Sequence, residues 1–205
     1  MNTEIPTVFI VDDDQAIRDS VSLLLRANGF AVEVFCDAMS FIKSGAFYRS
    51  GCLLLDVRMP GMSGLNLQEQ LKKQDAQMPI IFMTGHGDVP MAIRAMKLGA
   101  FDFIEKPFQG DLLLNRVREA LEQDARERRH QVYRLEVTTR MALLSPRERE
   151  VLERVATGCY NKVIAADLGI SISTVEIHRK RVMEKLQAES LSDLIRMLAL
   201  QNHTI

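Results

Sequence analysis

Five short apolar runs, Thr7–Val11, Ala31–Phe35, Cys52–Leu55, Pro79–Met83 and Phe101–Ile104, recur through the first half of the chain. The stretches between them repeat apolar residues every three or four positions, as helices do. The first, from Asp14 to Asn28, places Ile17, Val21, Leu24 and Leu25 on one face, and Gly29 supplies its C-terminal stop. Further helices are predicted at Ala38–Gly45, at Gly64–Gln74, at Val89–Leu98 and from Asp111 onward. A strand that is apolar on both faces must be covered on both. Five strand–helix alternations therefore predict an α/β fold, a doubly wound five-stranded parallel sheet. In such sheets ligands bind beyond the carboxyl ends of the strands, where the strand order reverses.

The chain has 205 residues, which leaves room for a second domain. Residues 111–139 contain neither Gly nor Pro. Leu113, Leu114, Val117, Ala120 and Leu121 keep helical spacing, and a charged stretch follows through Arg134. This extends the last helix into a polar helical linker, either stiff or fraying. Beyond the linker, strand signals cease. Ser145-Pro146-Arg147-Glu148 reads as a capping box with proline at the first helical position, and Gly158 ends that helix. Gly169 stops a helix over Asn161–Leu168, Ser171 caps one through Leu186, and Ser190 caps a last one through Leu200. The predicted divisions are an α/β domain over 1–122, a helical linker over 123–140, and an all-α four-helix domain of helix-turn-helix type over 141–205.

Charge separates the two halves. Residues 1–115 hold 10 Lys/Arg against 14 Asp/Glu, whereas residues 140–205 hold 10 against 8. An acidic front and a mildly basic back point to different partners. Cys36, Cys52 and Cys159 stand at unrelated spacings and form no metal pattern or disulfide framework. No apolar stretch approaches the roughly 20 residues that span a bilayer. The N-terminus also lacks the basic lead of a signal peptide, so the expectation is a cytoplasmic protein with no membrane partner.

Polar residues collect at the predicted strand ends. Asp12, Asp13 and Asp14 follow the first strand, Asp56 ends the third, Thr84 ends the fourth, and Lys106 follows the fifth. A parallel sheet brings these loops to one crevice. Clustered carboxylates repel unless a cation neutralises them, and hard oxygen donors suit Mg²⁺. A carboxylate can attack a phosphoryl group and form an acyl phosphate, with a cation and Lys106 balancing the equatorial charge and Thr84 donating a hydrogen bond. Asp56 is the expected nucleophile because it stands alone on the middle strand. Asp12 and Asp13 are placed as metal ligands, and Asp14 as the cap of the first helix.

The segments VFIVDDD, LLLDVRMPGMSG, IFMTGHGDVPMA and GAFDFIEKPF resemble the receiver domain of two-component response regulators over about residues 4–122. The GHGDVPMA segment and the attached C-terminal domain are similar to the FixJ-type subgroup in particular. The resemblance implies that Asp56 is the phosphoacceptor for a sensor histidine kinase. It implies that Asp12, Asp13, Asp56 and the backbone carbonyl of Arg58 bind Mg²⁺, and that Thr84 and Lys106 contact the phosphoryl group. It also implies a cis Lys106–Pro107 bond. Phe103 matches the switch aromatic of the family, and with no hydroxyl to keep at the surface its ring is expected to favour an inward position. Dimerisation is implied through the fourth helix, fifth strand and fifth helix, with Met91, Ile93 and Leu112 as contacts.

The segment LSPREREVLERVATGCYNKVIAADLGISISTVEIHRKRVMEKL resembles the LuxR-type helix-turn-helix domain over about residues 141–203. Its expected recognition helix sets Val175, Val182 and Leu186 toward the core, and the remaining surface fits the DNA major groove. The resemblance places Glu176, Ile177 and Lys180 at base edges. Lys162, Thr174, Arg179, Arg181 and Lys185 are expected at phosphates, and Leu191 and Leu194 in a dimer contact on DNA. The implied activity is phosphorylation-controlled, promoter-specific transcription, most simply activation through RNA polymerase, with nitrogen-fixation genes among the targets. It is not a turnover enzyme. An alternative pairs Asp12 with Asp14, the spacing used by haloacid-dehalogenase-like phosphohydrolases, but leaves Asp56 and Lys106 unexplained.

Overall fold

The computed structural model describes residues 5–85 and 89–202, with side chains except at 89, 90, 201 and 202. Residues 86–88 of the GHGDVPMA segment lie outside the described residues. The chain divides into two compact units, Met1–Arg128 and Arg129–Ile205.

The first unit contains β1 (Thr7–Val11), α1 (Gln15–Ala27), β2 (Ala31–Phe35), α2 (Ala38–Ser44), a 3-10 turn (Ala46–Tyr48), β3 (Gly51–Asp56), α3 (Gly64–Lys73), β4 (Ile80–Thr84), α4 (Val89–Lys97) and β5 (Asp102–Glu105). It also takes the first part of α5 (Gly110–Ala142). All strand pairs are parallel, in the order β2-β1-β3-β4-β5. The two-residue period of a strand divides the apolar runs between two cores. Phe9, Val11, Leu53, Leu55 and Phe82 pack with Phe41 of α2, Leu67 and Leu71 of α3 and Ala95 of α4. Val8, Ile10, Leu54, Ile81, Met83 and Ile104 pack with Val21 and Leu25 of α1 and Leu113 and Val117 of α5. This double coverage is why β1, β3 and β4 are apolar almost without interruption.

Strands β3, β4 and β5 run one residue further toward their carboxyl ends than the apolar pattern indicates. Asp56 pairs with Met83, and Thr84 with Glu105. Backbone ladder bonds need no apolar side chain, so hydropathy misses these last residues. The linker pattern forms helix without a break, and α5 runs for 33 residues.

The second unit comprises the end of α5 with α6 (Pro146–Ala156), α7 (Asn161–Leu168), α8 (Ile172–Leu186) and α9 (Leu191–Asn202). The capping box is complete: the Ser145 hydroxyl accepts from the Glu148 N–H, and the Glu148 carboxylate accepts from the Ser145 N–H. Val137 and Met141 of α5 join Val151, Leu152, Ile164, Val175, Val182, Leu186 and Leu194 in one core.

Candidate functional site

The chain leaves β1 for β2 on one side and returns to β3 on the other, so the strand order reverses between β1 and β3. Val11 pairs with Leu55, which sets the next residues, Asp12 and Asp56, at neighbouring strand ends. Gly64, the first residue of α3, lies against the same point. A Cβ there would sit 2.2 Å from the Asp56 carbonyl oxygen, so only glycine lets the helix begin so close. Lys106 is drawn in by the end of the β4–β5 ladder, where its N–H donates to the Thr84 carbonyl at 2.7 Å. The Lys106–Pro107 bond is cis.

Lys106 Nζ stands 2.6 Å from Asp12 Oδ2 and 2.6 Å from Asp56 Oδ1. The other oxygen of each carboxylate is held by backbone: Asp56 Oδ2 accepts from the Arg58 N–H at 2.6 Å, and Asp12 Oδ1 from the Asp14 N–H at 2.9 Å. Arg18 donates to the Asp12 carbonyl. Burial raises the Asp56 carboxyl above its ordinary range; Lys106 offsets this only in part, and Asp12 adds to it. Burial pulls the Lys106 ammonium down, but its hydrogen bonds to Asp12 and Asp56 outweigh that and hold it above its ordinary value. Thr84 is buried at the carboxyl end of β4, and Asp13 is exposed. Asp14 caps α1 by accepting from the Ala16 and Ile17 N–H groups. That role commits an Asp14 carboxylate oxygen to the helix, whereas Asp12 pairs through Lys106 with Asp56.

On α8, Glu176, Ile177, Lys180 and Arg181 are exposed, as is Lys162 on α7. Val175, Val182 and Leu186 are buried on the opposite side.

Residues 8–118 match the family described as the response regulator receiver domain, and residues 142–198 match the luxR family of bacterial regulatory proteins. The chain belongs to the response regulators. It is 49% identical to the transcriptional regulatory protein FixJ of Azorhizobium caulinodans, over 94% of this chain and 92% of that one. The response regulator protein TodT of Pseudomonas putida is 43% identical over 96% of this chain and 87% of its own. Among solved structures, the response regulator StyR matches with a TM-score of 0.84 at 43% identity, covering 95% of this chain and 98% of that one. Full-length FixJ from B. japonicum matches with a TM-score of 0.61 at 42% identity, covering 99% of this chain and 100% of that one. The regulator therefore joins a receiver to a LuxR-type DNA-binding domain and acts in transcriptional regulation. Among the described residues, no helix is long and apolar enough to cross a membrane.

Packing gives several of the residues named from the sequence partners within the regulator itself. Lys185, expected at a phosphate, donates to Glu148 Oε2 at 2.6 Å and to the Leu143 carbonyl at 3.1 Å. It follows Val182 by three residues, so the helix turns it inward. Arg179 is half-buried for the same reason, four residues after Val175, and donates to Asn161 Oδ1 at 2.9 Å. Thr174 is half-buried, and its hydroxyl pairs with that of Ser171. Leu194 is core and leaves only Leu191 of that pair on the surface. Met91 packs against the receiver core, while Ile93 and Leu112 are exposed. Phe103 is 45% exposed, so its ring lies outward in this structure. β5 is an edge strand, and a side chain on its α4 face has a strand neighbour on one side only.

Two buried charges escaped the sequence reading. Asp124 accepts from the Ser50 hydroxyl, the Gly51 N–H and Arg128 Nε, while Arg128 also donates to the Tyr48 and Arg49 carbonyls. Glu148 holds Lys185. Asp124 and Arg128 lie in a polar stretch that reads as solvated, and their partners are distant in sequence. Glu148 was visible only as a cap.

Proposed function

We propose that Asp56 accepts a phosphoryl group from the phosphohistidine of a sensor kinase. One Asp56 oxygen attacks phosphorus, the phosphorus–nitrogen bond breaks, and the imidazole of the donor leaves as an acyl phosphate forms. The observation that carries this reading is the convergence of Asp56 and Asp12 on a single ammonium, Lys106.

The donor set fits Mg²⁺. Among the described residues no three Asp, Glu, His or Cys side chains form a ready cage. Mg²⁺, however, needs only one or two carboxylates and keeps its own waters, and Asp12 and Asp56 already converge on one cation. Asp12 and Asp56 would hold the ion, with Asp13 and the Arg58 carbonyl at the rim; bound there, it neutralises charge on the transferring phosphoryl group. Lys106 remains on a phosphoryl oxygen, and Thr84 donates to another. Phe103 follows Thr84 as the switch element.

In this reading the receiver spans 1–122, the helical linker 123–140 and the DNA-binding domain 141–205. Phosphorylation in the cytoplasm pairs two copies through Ile93 and Leu112, with Leu191 contacting its counterpart on DNA. Glu176, Ile177 and Lys180 then read bases in promoter DNA, and Lys162 and Arg181 hold phosphates. Transcription is activated through RNA polymerase, at nitrogen-fixation genes by the resemblance to FixJ-type regulators.

The test is incubation with acetyl phosphate and Mg²⁺, followed by intact mass and promoter-DNA binding. The wild type gains one phosphoryl group and binds DNA more tightly, while Asp56→Asn does neither. A phosphoryl group retained by Asp56→Asn sinks the proposal.

A further inference from the structure

The last part of α5 is apolar on two sides. Tyr133, Val137 and Met141 pack into the core of the second unit. On the other side, Val132 is 58% exposed, Leu135 70% and Leu143, just past the helix, 61%. Among the described residues nothing covers them, and Leu135 stands between the charged Arg134 and Glu136. The spacing Val132, Leu135, Thr139, Ala142 is three, four, three, which is the alternation of a heptad seam. With Val132 and Thr139 at the first position and Leu135 and Ala142 at the fourth, the seam has β-branched residues at one site and Leu and Ala at the other. A β-branched first position with Leu at the fourth favours two parallel strands.

We propose that this stripe is a self-association surface, on which the α5 segments of two copies pair as a short parallel coiled coil. The inference rests on the phosphorylation-dependent dimer proposed above and names a second surface for it. A second copy is the occupant because identical stripes are self-complementary about a two-fold axis. The flanks agree: in parallel register Gln131 of each copy faces Glu136 of the other, an amide donor against a carboxylate, and no like charges meet there. Area then sets the conditions. Three apolar side chains per copy bury a few hundred Å², well short of the roughly 1,200 Å² of a stable interface. The seam therefore closes only when another contact has already brought two copies together, and it adds to the affinity by raising their effective concentration.

The experiment uses full-length protein in a C36S/C159S background, which leaves only the buried Cys52. Single substitutions V132C, L135C and, as an exposed control on the same helix, R134C are oxidised with and without acetyl phosphate and Mg²⁺. Sedimentation follows the dimer in parallel. Phosphorylation is expected to speed disulfide formation at positions 132 and 135 at least tenfold over position 134, and Asp56→Asn to abolish the gain. L135E, with its fold checked by circular dichroism, is expected to weaken the phosphorylated dimer several-fold. If a dimer forms but position 135 cross-links no faster than position 134, the seam is wrong and the dimer stands. If no dimer forms at all, both proposals fall. Crosses between V132C and L135C that outpace the like pairs refute the parallel register.

Discussion

Asp56 of the receiver meets Lys106, and Glu148 of the DNA-binding unit meets Lys185, each at 2.6 Å, and the two carboxylates behave in opposite ways. In the receiver, Asp56 is held above the ordinary carboxyl range by burial, with a second carboxylate, Asp12, sharing the same ammonium. In the DNA-binding unit, burial pushes Glu148 up, but the Lys185 ammonium and the backbone and hydroxyl of Ser145 outweigh it and hold the carboxyl at about 2. Distance alone does not decide what a buried ion pair does; the balance between desolvation and the donors and anions around each carboxylate does. Two carboxylates on one lysine leave unrelieved negative charge, which a metal ion or a phosphoryl transfer can use. One carboxylate with a lysine and a helix N-terminus is a clamp.

The largest expected effect tests the reactive side of this contrast. Lys106→Met removes the cation shared by Asp12 and Asp56 and is expected to slow phosphorylation by acetyl phosphate about 100-fold, read as the rate of mass gain. An unchanged rate would show that Lys106 only balances charge at rest.

Glu148→Gln tests the clamp. It weakens charged hydrogen bonds at a buried site and is expected to destabilise the second unit by about 2–3 kcal/mol. Hydrogen exchange in α6 and α8 should rise, with β1 and β3 unaffected. Asp56→Asn, by contrast, removes a disfavoured charge and is expected to leave the receiver as stable as before or more so.

The pH dependences should diverge in the same way. Glu148, whose ordinary pKa is 4.5, is held at about 2, so its ionised form stabilises the fold above pH 4.5 and that contribution is lost as pH falls toward 2. Asp56 lies above its ordinary 3.8, so its ionised form opposes folding at neutral pH, and acid relieves that. Hydrogen exchange between pH 5 and 3 should therefore show the second unit loosening through Glu148, and E148Q flattening that response. Equal loosening in E148Q would discredit the clamp.

The smallest effects separate free from committed cations on α8. Arg181→Ala is expected to lower the salt slope of DNA binding by about one, while Lys185→Ala leaves that slope unchanged and destabilises the unit. A slope change in Lys185→Ala would return Lys185 to the phosphate contacts.

Much of the regulator was legible in its sequence because strands, helices, caps and turns are set by local spacing and residue chemistry. The five apolar runs, the Asp14 and Ser145 caps and the stops at Gly29 and Gly169 all lie within a few residues of what they control. The parallel sheet covered on both faces followed from alternation, and so did the meeting of Asp12, Asp56 and Lys106 at one end of it. Tertiary packing alone decided which charges are free. Lys185 and Arg181 look alike along the chain, yet three residues from Val182 turns one onto Glu148 and a different angle leaves the other in solvent. Asp124 reads as a solvated helix residue until the backbone at Gly51 and the Ser50 hydroxyl close on it. A side chain's desolvation depends on neighbours tens of residues away, which no local pattern records.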